Sequence, residues 1–128
     1  MQPTRVLVVD GYRDVADTLA FLLNSHGFDA RAEYSSAAAL DLARAWKPSA
    51  MVLDLMLPHM SGHDLAVNVR REVLPCPLFI AVTGYQHPAL VERSRTLGFA
   101  AHLMKPCDPE QIFGLLKPDH PAHPARAA

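Results

Sequence analysis

An α/β fold with a parallel sheet is predicted because two kinds of segment alternate along the 128-residue chain: short continuous apolar runs, and segments whose apolar residues recur with the period of a helix. Apolar runs without polar alternation occupy residues 5–9, 50–55, 77–84 and 101–104, and a weaker run occupies 28–34. Such runs are typical of strands buried on both faces of a parallel sheet. Between them the apolar residues recur with the helical period. The order is therefore βαβαβαβαβα, with right-handed crossovers.

Five helices are predicted, each from one apolar stripe between the runs. The stripes are Val15, Leu19, Leu22 and Leu23; Ala38, Leu42 and Ala45; Leu65, Val69 and Val73; Leu90, Ser94 and Leu97; and Ile112, Leu115 and Leu116. Ser61 and Asp108 stand where N-caps belong, and Pro109 suits a first helical position. Gly27 and Gly98 follow the first and fourth stripes, where a left-handed cap is expected.

Composition and charge exclude several functional classes. Twelve basic residues against thirteen acidic ones give a net charge of -1, which offers no attraction to nucleic acid or to an anionic membrane surface. The N-terminus lacks the features of a signal peptide, and no apolar stretch is long enough to span a membrane. Two cysteines form no disulfide framework, so a cytoplasmic location is expected. Residues 117–128 are rich in proline and are predicted to form a disordered tail.

Four predicted strands deliver chemically useful side chains to one edge of the sheet. Asp10, Asp54, Thr83 and Lys105 follow or end the first, third, fourth and fifth strands. Ligands of open α/β sheets bind at this carboxyl edge. A carboxylate, a hydroxyl and a lysine around one point suit phosphoryl transfer. Asp54 would be the nucleophile, Lys105 and Thr83 would bind phosphoryl oxygens, and a divalent cation would spread the remaining charge.

Four segments together resemble the receiver domain of two-component response regulators. They are VLVVDGYRDVADTL, MVLDLMLPHMSGHDL, PLFIAVTGY and LGFAAHLMKPCDPE. Each motif alone is weak, but their order and spacing over residues 5–116 are specific. The resemblance implies a flavodoxin-like five-stranded parallel sheet of order 2-1-3-4-5, flanked by five helices. It assigns residues 1–116 to a receiver domain.

The resemblance also implies the roles of individual residues. Asp54 is the phosphoacceptor, Thr83 and Lys105 assist it, and Thr83 with His102 forms the switch. The implied Mg2+ ligands are Asp10, Asp54 and the backbone carbonyl of Met56. Pro58 and Gly62 are expected to shape the loop after the third strand.

The implied protein is a phosphoacceptor and not a conventional enzyme, since it catalyses at most its own phosphorylation and dephosphorylation. Its expected partners are a histidine kinase or phosphotransfer protein and a downstream protein target, bound by the face of helix four, strand five and helix five. The short tail predicts a single-domain regulator without DNA-binding output. A receiver cut from a hybrid kinase is the alternative.

Two positions depart from the pattern of the family. Gly11 stands where receivers usually carry a second acid that contacts Mg2+ directly, so weak or absent Mg2+ binding is expected. Asp14, in the first helical turn, is a candidate to contact Mg2+ through a water molecule. Gly11 has a second interpretation, as a helix cap or a residue with positive φ. His102 stands where many receivers carry Tyr or Phe, and histidine can become charged near neutral pH.

Several alternatives remain open from the sequence. A receiver-like binding module that no longer uses phosphate is the first, motivated by Gly11 and His102. A flavodoxin-like enzyme or cofactor binder ranks far lower, because the chain has no glycine-rich phosphate loop. His59 and His63, four residues apart, suit zinc but lack a third ligand. Cys107 follows the predicted cation, so a lowered thiol pKa competes with simple packing.

Overall fold

The computed structural model describes residues 2–117, which form one five-stranded parallel sheet of order β2-β1-β3-β4-β5 flanked by five helices. The strands are β1 Arg5–Val9, β2 Asp29–Glu33, β3 Ala50–Asp54, β4 Leu78–Thr83 and β5 Ala101–Met104. The predicted fold class and strand order are confirmed, including the weak second run. The predicted tail lies outside the described residues, apart from its first residue, Lys117.

The helices are α1 Arg13–Ser25, α2 Ser36–Trp46, α3 Gly62–Glu72, α4 Pro88–Thr96 and α5 Pro109–Leu116. The predicted caps are present. The Ser61 hydroxyl accepts a hydrogen bond from the backbone of Asp64 at 3.1 Å, and Asp108 caps α5 in front of Pro109. Gly27 and Gly98 have φ values of 90° and 78°, the left-handed region that glycine occupies without strain.

Two apolar cores lie on opposite faces of the sheet. The first joins the sheet to α1 and α5, and it contains Val6, Val8, Ala16, Ala20, Leu23, Val52, Ile80, Ile112 and Leu116. The second joins the sheet to α2 and α3, and it contains Leu7, Val9, Ala39, Ala43, Trp46, Met51, Leu53, Leu65, Val69 and Phe79. Consecutive strand residues alternate between these cores, which explains why the strands carry no polar alternation.

The predicted stripe of α2 was partly wrong, although Leu42 does pack against the second core. Ala45 is exposed, and the buried face consists of Ser36, Ala39, Leu40, Ala43 and Trp46. Ser35 caps this helix by accepting a hydrogen bond from the backbone of Ala38 at 3.2 Å. Because most of the helix consists of small residues, its periodicity is weak. Burial of the large Trp46 side chain, with Arg31 stacked over its ring, determines which face is buried.

The stripes of α1 and α4 were partly wrong as well. Val15 is 45% exposed, and α1 buries Ala16 and Ala20 together with Leu23 of the predicted stripe. Small residues on that face let the helix approach the sheet closely. In α4 the single buried residue is Ser94, a polar one. This helix therefore contacts the rest of the fold through a polar residue, whereas the other four bury apolar side chains.

The parallel register brings the ends of β1, β3, β4 and β5 to one edge. Val9 pairs with Leu53, Asp54 with Val82, and Thr83 with Met104. Asp10, Asp54, Thr83 and Lys105 therefore lie at neighbouring strand ends. Within residues 2–117, no helix has the length and apolar character needed to cross a membrane.

Candidate functional site

Two buried carboxylates form the base of the site. Asp10 directly follows β1 and is 4% exposed, while Asp54 ends β3 and is 6% exposed. Each is held by a backbone N–H two residues further along. Tyr12 N donates to Asp10 Oδ1 at 2.9 Å, and Met56 N donates to Asp54 Oδ1 at 3.0 Å. The two loops therefore orient the acids in the same way, leaving Oδ2 of each free for another partner.

Lys105 supplies that partner for both acids. Its Nζ lies 2.6 Å from Asp10 Oδ2 and 3.3 Å from Asp54 Oδ2. Burial alone would lower the pKa of Lys105, but the hydrogen bond to Asp10 and the charges of both carboxylates raise it above its usual value. The lysine is therefore a cation placed between two buried anions. The structure brings together all three charged residues that the sequence placed here, and the cation is closer to Asp10 than to Asp54.

Thr83 is fully buried at the end of β4. Its hydroxyl accepts a hydrogen bond from Tyr85 N at 3.2 Å and lies 3.3 Å from Tyr85 O, to which it donates. Lys105 N donates to Thr83 O at 2.8 Å, which ties this threonine to the loop that carries the cation. The hydroxyl is therefore held by its own loop, on the strand next to Asp54.

The backbone conformation at position 11 does not require a glycine. Gly11 is exposed, its φ is not in the left-handed region, and a Cβ atom added to it would meet nothing within 4 Å. The residue that caps α1 is Tyr12. The interpretation of Gly11 as a cap or a positive-φ residue was therefore wrong. An acidic side chain would fit at this position beside Asp10, and the chain carries none.

Gly62, in contrast, is required by close packing. A Cβ atom here would collide with the backbone carbonyl oxygen of Asp54 and lie 3.0 Å from Leu55 Cα. Gly62 N also donates to Leu55 O at 3.2 Å. The first residue of α3 therefore packs directly against the backbone that carries the buried acid. This agrees with the expected role of Gly62 in shaping the loop.

The oxygen donors fit a magnesium ion that retains much of its water. Mg2+ takes six oxygen ligands and commonly keeps several waters. Asp10 and Asp54 provide two carboxylates that converge on one point, and the exposed Met56 follows Asp54 by two residues. Within residues 2–117, no group of three or more His, Cys, Asp or Glu side chains could hold a metal ion.

An apolar cavity of about 660 Å³ opens onto the charged residues between α1 and α5. Its walls include Val15, Leu19, Leu22, Pro106 and Ile112, and Asp10, Asp54 and Lys105 lie at its polar end. The exposed part of Val15 belongs to this wall. Both acids therefore border a largely apolar cavity.

His102 lies on β5 and is linked to α4. Its Nδ1 is 2.8 Å from the Ser94 hydroxyl, and that hydroxyl is 2.7 Å from His63 Nε2 on α3. Burial lowers the pKa of His102, and it lowers that of His63 to about 4. This connection was not predicted from the sequence. Its signal was a serine in the apolar stripe of α4.

The zinc hypothesis for His59 and His63 has no support among the described residues. His59 is exposed, with a φ of 70°, while His63 is 1% exposed and bonded to Ser94. At Cys107 burial raises the thiol pKa, and the side chain packs against the core of α1 and α5. The packing interpretation of this cysteine is therefore supported, and an activated thiol is not.

The chain belongs to the response regulator receiver family. The family model described as the response regulator receiver domain matches residues 6–117. This chain is thus a receiver domain of two-component signalling, the class that the fold and the site resemble. Receiver domains bind Mg2+, and response regulators related to this chain act with histidine kinases.

Named relatives support the same assignment. The DNA-binding response regulator MtrA of Mycolicibacterium paratuberculosis is 32% identical over 114 residues, 88% of this chain and 49% of that protein. The transcriptional regulatory protein PdtaR of Mycobacterium tuberculosis is 29% identical over 106 residues, 81% of this chain and 50% of that protein. The chain spans about half the length of these curated relatives.

A solved structure of similar fold is a response regulator protein from Burkholderia pseudomallei, described with a phosphorylated aspartic acid, a calcium ion and citrate. It matches with a TM-score of 0.82 and 29% identity, covering 97% of this chain and 71% of that one.

Proposed function

We propose that Asp54 accepts a phosphoryl group from a partner histidine kinase or phosphotransfer protein. The observation that carries the proposal is the position of Asp54. It is a carboxylate 6% exposed at the carboxyl end of β3, and its Oδ2 lies 3.3 Å from the Lys105 ammonium. An acid at this edge of the sheet has a cation beside it and borders the cavity between α1 and α5.

The transfer is a displacement at phosphorus. A carboxylate oxygen of Asp54 attacks, the bond from phosphorus to the donor nitrogen of a phosphohistidine breaks, and the imidazole leaves and takes up a proton. The product is an acyl phosphate on Asp54. Lys105 neutralises phosphoryl oxygens, and the Thr83 hydroxyl exchanges its backbone partner for one of them.

Mg2+ binding at this site is weaker than in a receiver with two adjacent acids. Asp10, Asp54 and the backbone carbonyl of Met56 would hold the ion, whose bound charge would offset that of the phosphoryl group. Gly11 contributes no ligand. Lys105 already pairs with both carboxylates, at 2.6 Å and 3.3 Å, so an entering cation competes with an ammonium ion.

Signalling proceeds through the face made by α4, β5 and α5. Phosphorylation draws Thr83 toward the new phosphoryl group, and His102 on β5 shifts in response. The phosphoryl group stabilises one conformation of this face more than the other and so changes their populations. The downstream partner on this face is a protein, and the expected location is the cytoplasm. The near-neutral charge of the chain gives no reason to propose nucleic acid or membrane as a partner.

Intact-mass measurement after incubation with acetyl phosphate tests the proposal. The unmodified chain should gain one phosphoryl group in the presence of Mg2+, and Asp54→Asn should gain none. Asp41→Asn is a matched control, because Asp41 is an exposed acid on α2 and its loss should change nothing. Modification that persists in Asp54→Asn would place the acceptor elsewhere and refute the proposal.

A second candidate function is a receiver-like interaction module that works without phosphate. The open space at Gly11 favours it, since nothing in the backbone prevents an acid there. In that case only Gly11→Asp would be phosphorylated, and the unmodified chain would bind its partner constitutively. Phosphorylation of the unmodified chain on Asp54 would exclude this second candidate.

A further inference from the structure

The buried contacts of α4 are polar, unlike those of the other helices. Ser94 is the single buried residue of α4, at 2% exposure, and its hydroxyl lies between two imidazoles. Further polar contacts link this helix to α3. Arg93 pairs with Asp64 at 2.7 Å on the surface, and Arg70 donates to the Leu97 carbonyl. Such contacts bury little apolar area, so the position of α4 depends on hydrogen bonds more than on packing.

The two imidazoles and the hydroxyl form a continuous hydrogen-bonded relay across three elements. His63 lies on α3, Ser94 on α4 and His102 on β5, with links of 2.7 Å and 2.8 Å. His63 is also enclosed by apolar surface, since its ring packs edge-on against Phe99 with centroids 5.4 Å apart. The link between His63 and Ser94 is therefore sheltered from water, where a hydrogen bond is stronger than at the surface, while the link to His102 is partly buried.

Charge and protonation constrain the direction of the relay. Both histidines have pKa values lowered by burial, so both rings are neutral at pH 7, each with one N–H. Arg93 and His102 lower the pKa of His63 further, and Asp64 opposes them. His102 Nε2 is buried without a partner among the described residues. Donation from His102 Nδ1–H to the Ser94 hydroxyl, and from that hydroxyl to His63 Nε2, is favoured. In this arrangement His102 Nε2 carries a lone pair, whereas the reverse arrangement would leave a buried N–H on Nε2 without an acceptor.

We propose that Ser94 and His63 are positioning residues for the switch residue His102, and that His102 and α4 therefore move together as one hydrogen-bonded unit. Displacement of His102 pulls the Ser94 hydroxyl, and with it α4. Displacement of α4 by a bound partner acts on His102 in the reverse direction, since coupling is reciprocal. Because Nε2 has no partner, the bond to Ser94 is the single hydrogen bond that the His102 side chain makes among the described residues. The transmission step rests on the proposed phosphorylation of Asp54, whereas the positioning itself does not.

A pair of variants of equal shape isolates the hydroxyl. Ser94→Thr keeps the hydroxyl, and Ser94→Val replaces it with a methyl group of similar size. NMR of the imidazole nitrogens at pH 7.5, without phosphodonor, reads the relay directly. In Ser94→Val the His102 and His63 ring signals should shift, and α4 amides should exchange with solvent about five-fold faster, the equivalent of one net hydrogen bond. Ser94→Thr should resemble the unmodified chain. Equal behaviour of the two variants would overturn the positioning role, and Ser94→Ala repeats the comparison without added bulk.

The second readout adds acetyl phosphate and Mg2+, with the extent of modification measured by mass. Ser94→Val and Ser94→Thr should be phosphorylated equally. The change in α4 amide signals should follow phosphorylation in Ser94→Thr and be lost in Ser94→Val. An unchanged α4 response in Ser94→Val would refute the coupling. If the unmodified chain gains no phosphoryl group, the proposed function fails by itself, and the imidazole signals still decide the positioning role.

Discussion

Lys105 and Asp10, 95 positions apart in the chain, are joined by a hydrogen bond of 2.6 Å. The same ammonium lies 3.3 Å from Asp54, so two buried acids share one cation. The shared cation offsets part of the cost of burying two carboxylates, each under a tenth exposed, at the edge of one sheet. It also makes the stability of the fold depend on the residues of the candidate site.

Lys105→Met should lower the free energy of unfolding by about 2 kcal/mol, because it leaves two buried carboxylates without their cation; a fully buried pair would cost more. Urea unfolding at pH 7.5 measures the loss. The double variant Lys105→Met with Asp10→Asn should recover a large part of it, since one of the two uncompensated charges is then removed. Equal stability of the single variant and the unmodified chain would show that the pairing contributes nothing.

Gly11→Asp should raise Mg2+ affinity by about tenfold or more, since a carboxylate beside a divalent ion gains more than the roughly 1.4 kcal/mol that tenfold requires. Titration calorimetry with Mg2+ measures the change. Gly11→Asn is the matched control, with the same shape and no charge. The open space at Gly11 predicts that both variants fold normally. If the two variants bound Mg2+ with the same affinity, the missing negative charge at position 11 would not be the cause of weak binding.

The stability of the chain should fall as the pH is lowered from about 6.5 toward 4, because of His63. Its pKa is about 4 in the folded chain and about 6.5 when unfolded, so the unfolded state binds the proton first. The contribution is fully present above the unfolded pKa and amounts to as much as about 3 kcal/mol at one unit per 1.4 kcal/mol. Urea unfolding across this range should show a shallower pH slope in His63→Gln.

His59→Asn is the control for that experiment, because His59 is exposed and asparagine tolerates its φ of 70°. Its slope should match that of the unmodified chain. A slope in His63→Gln as steep as in the unmodified chain would assign the pH dependence to other groups.

Gly62→Ala should lower the free energy of unfolding by about 2 kcal/mol or more, because the added methyl group collides with rigid backbone at Asp54. Gly114→Ala provides the comparison. Gly114 lies inside α5 with nothing within 4 Å of an added Cβ, so the same change there should raise stability by up to about 1 kcal/mol. Thermal unfolding of both variants measures the difference. A mild effect at Gly62 would show that α3 can shift away from β3.

The sequence by itself determined the order of elements and the residues at the strand ends. Continuous apolar runs and helix caps are local properties, which is why β1 to β5 and the caps at Ser61 and Asp108 were predictable. Because parallel strands share one carboxyl edge, the grouping of Asp10, Asp54 and Lys105 followed as well. The resemblance of four ordered segments then narrowed that grouping to one family.

Only the tertiary structure decided which contacts these residues make. The choice of Asp10 over Asp54 as the closer partner of Lys105 depends on loop geometry. The relay through Ser94 joins residues that no local pattern connects. The buried face of α2 depends on where Trp46 fits, since its alanines carry little periodic signal. Periodicity along the chain indicates which residues of an element share its buried face. Hydrogen-bond partners depend on distances across the fold, which the spacing of residues alone does not encode.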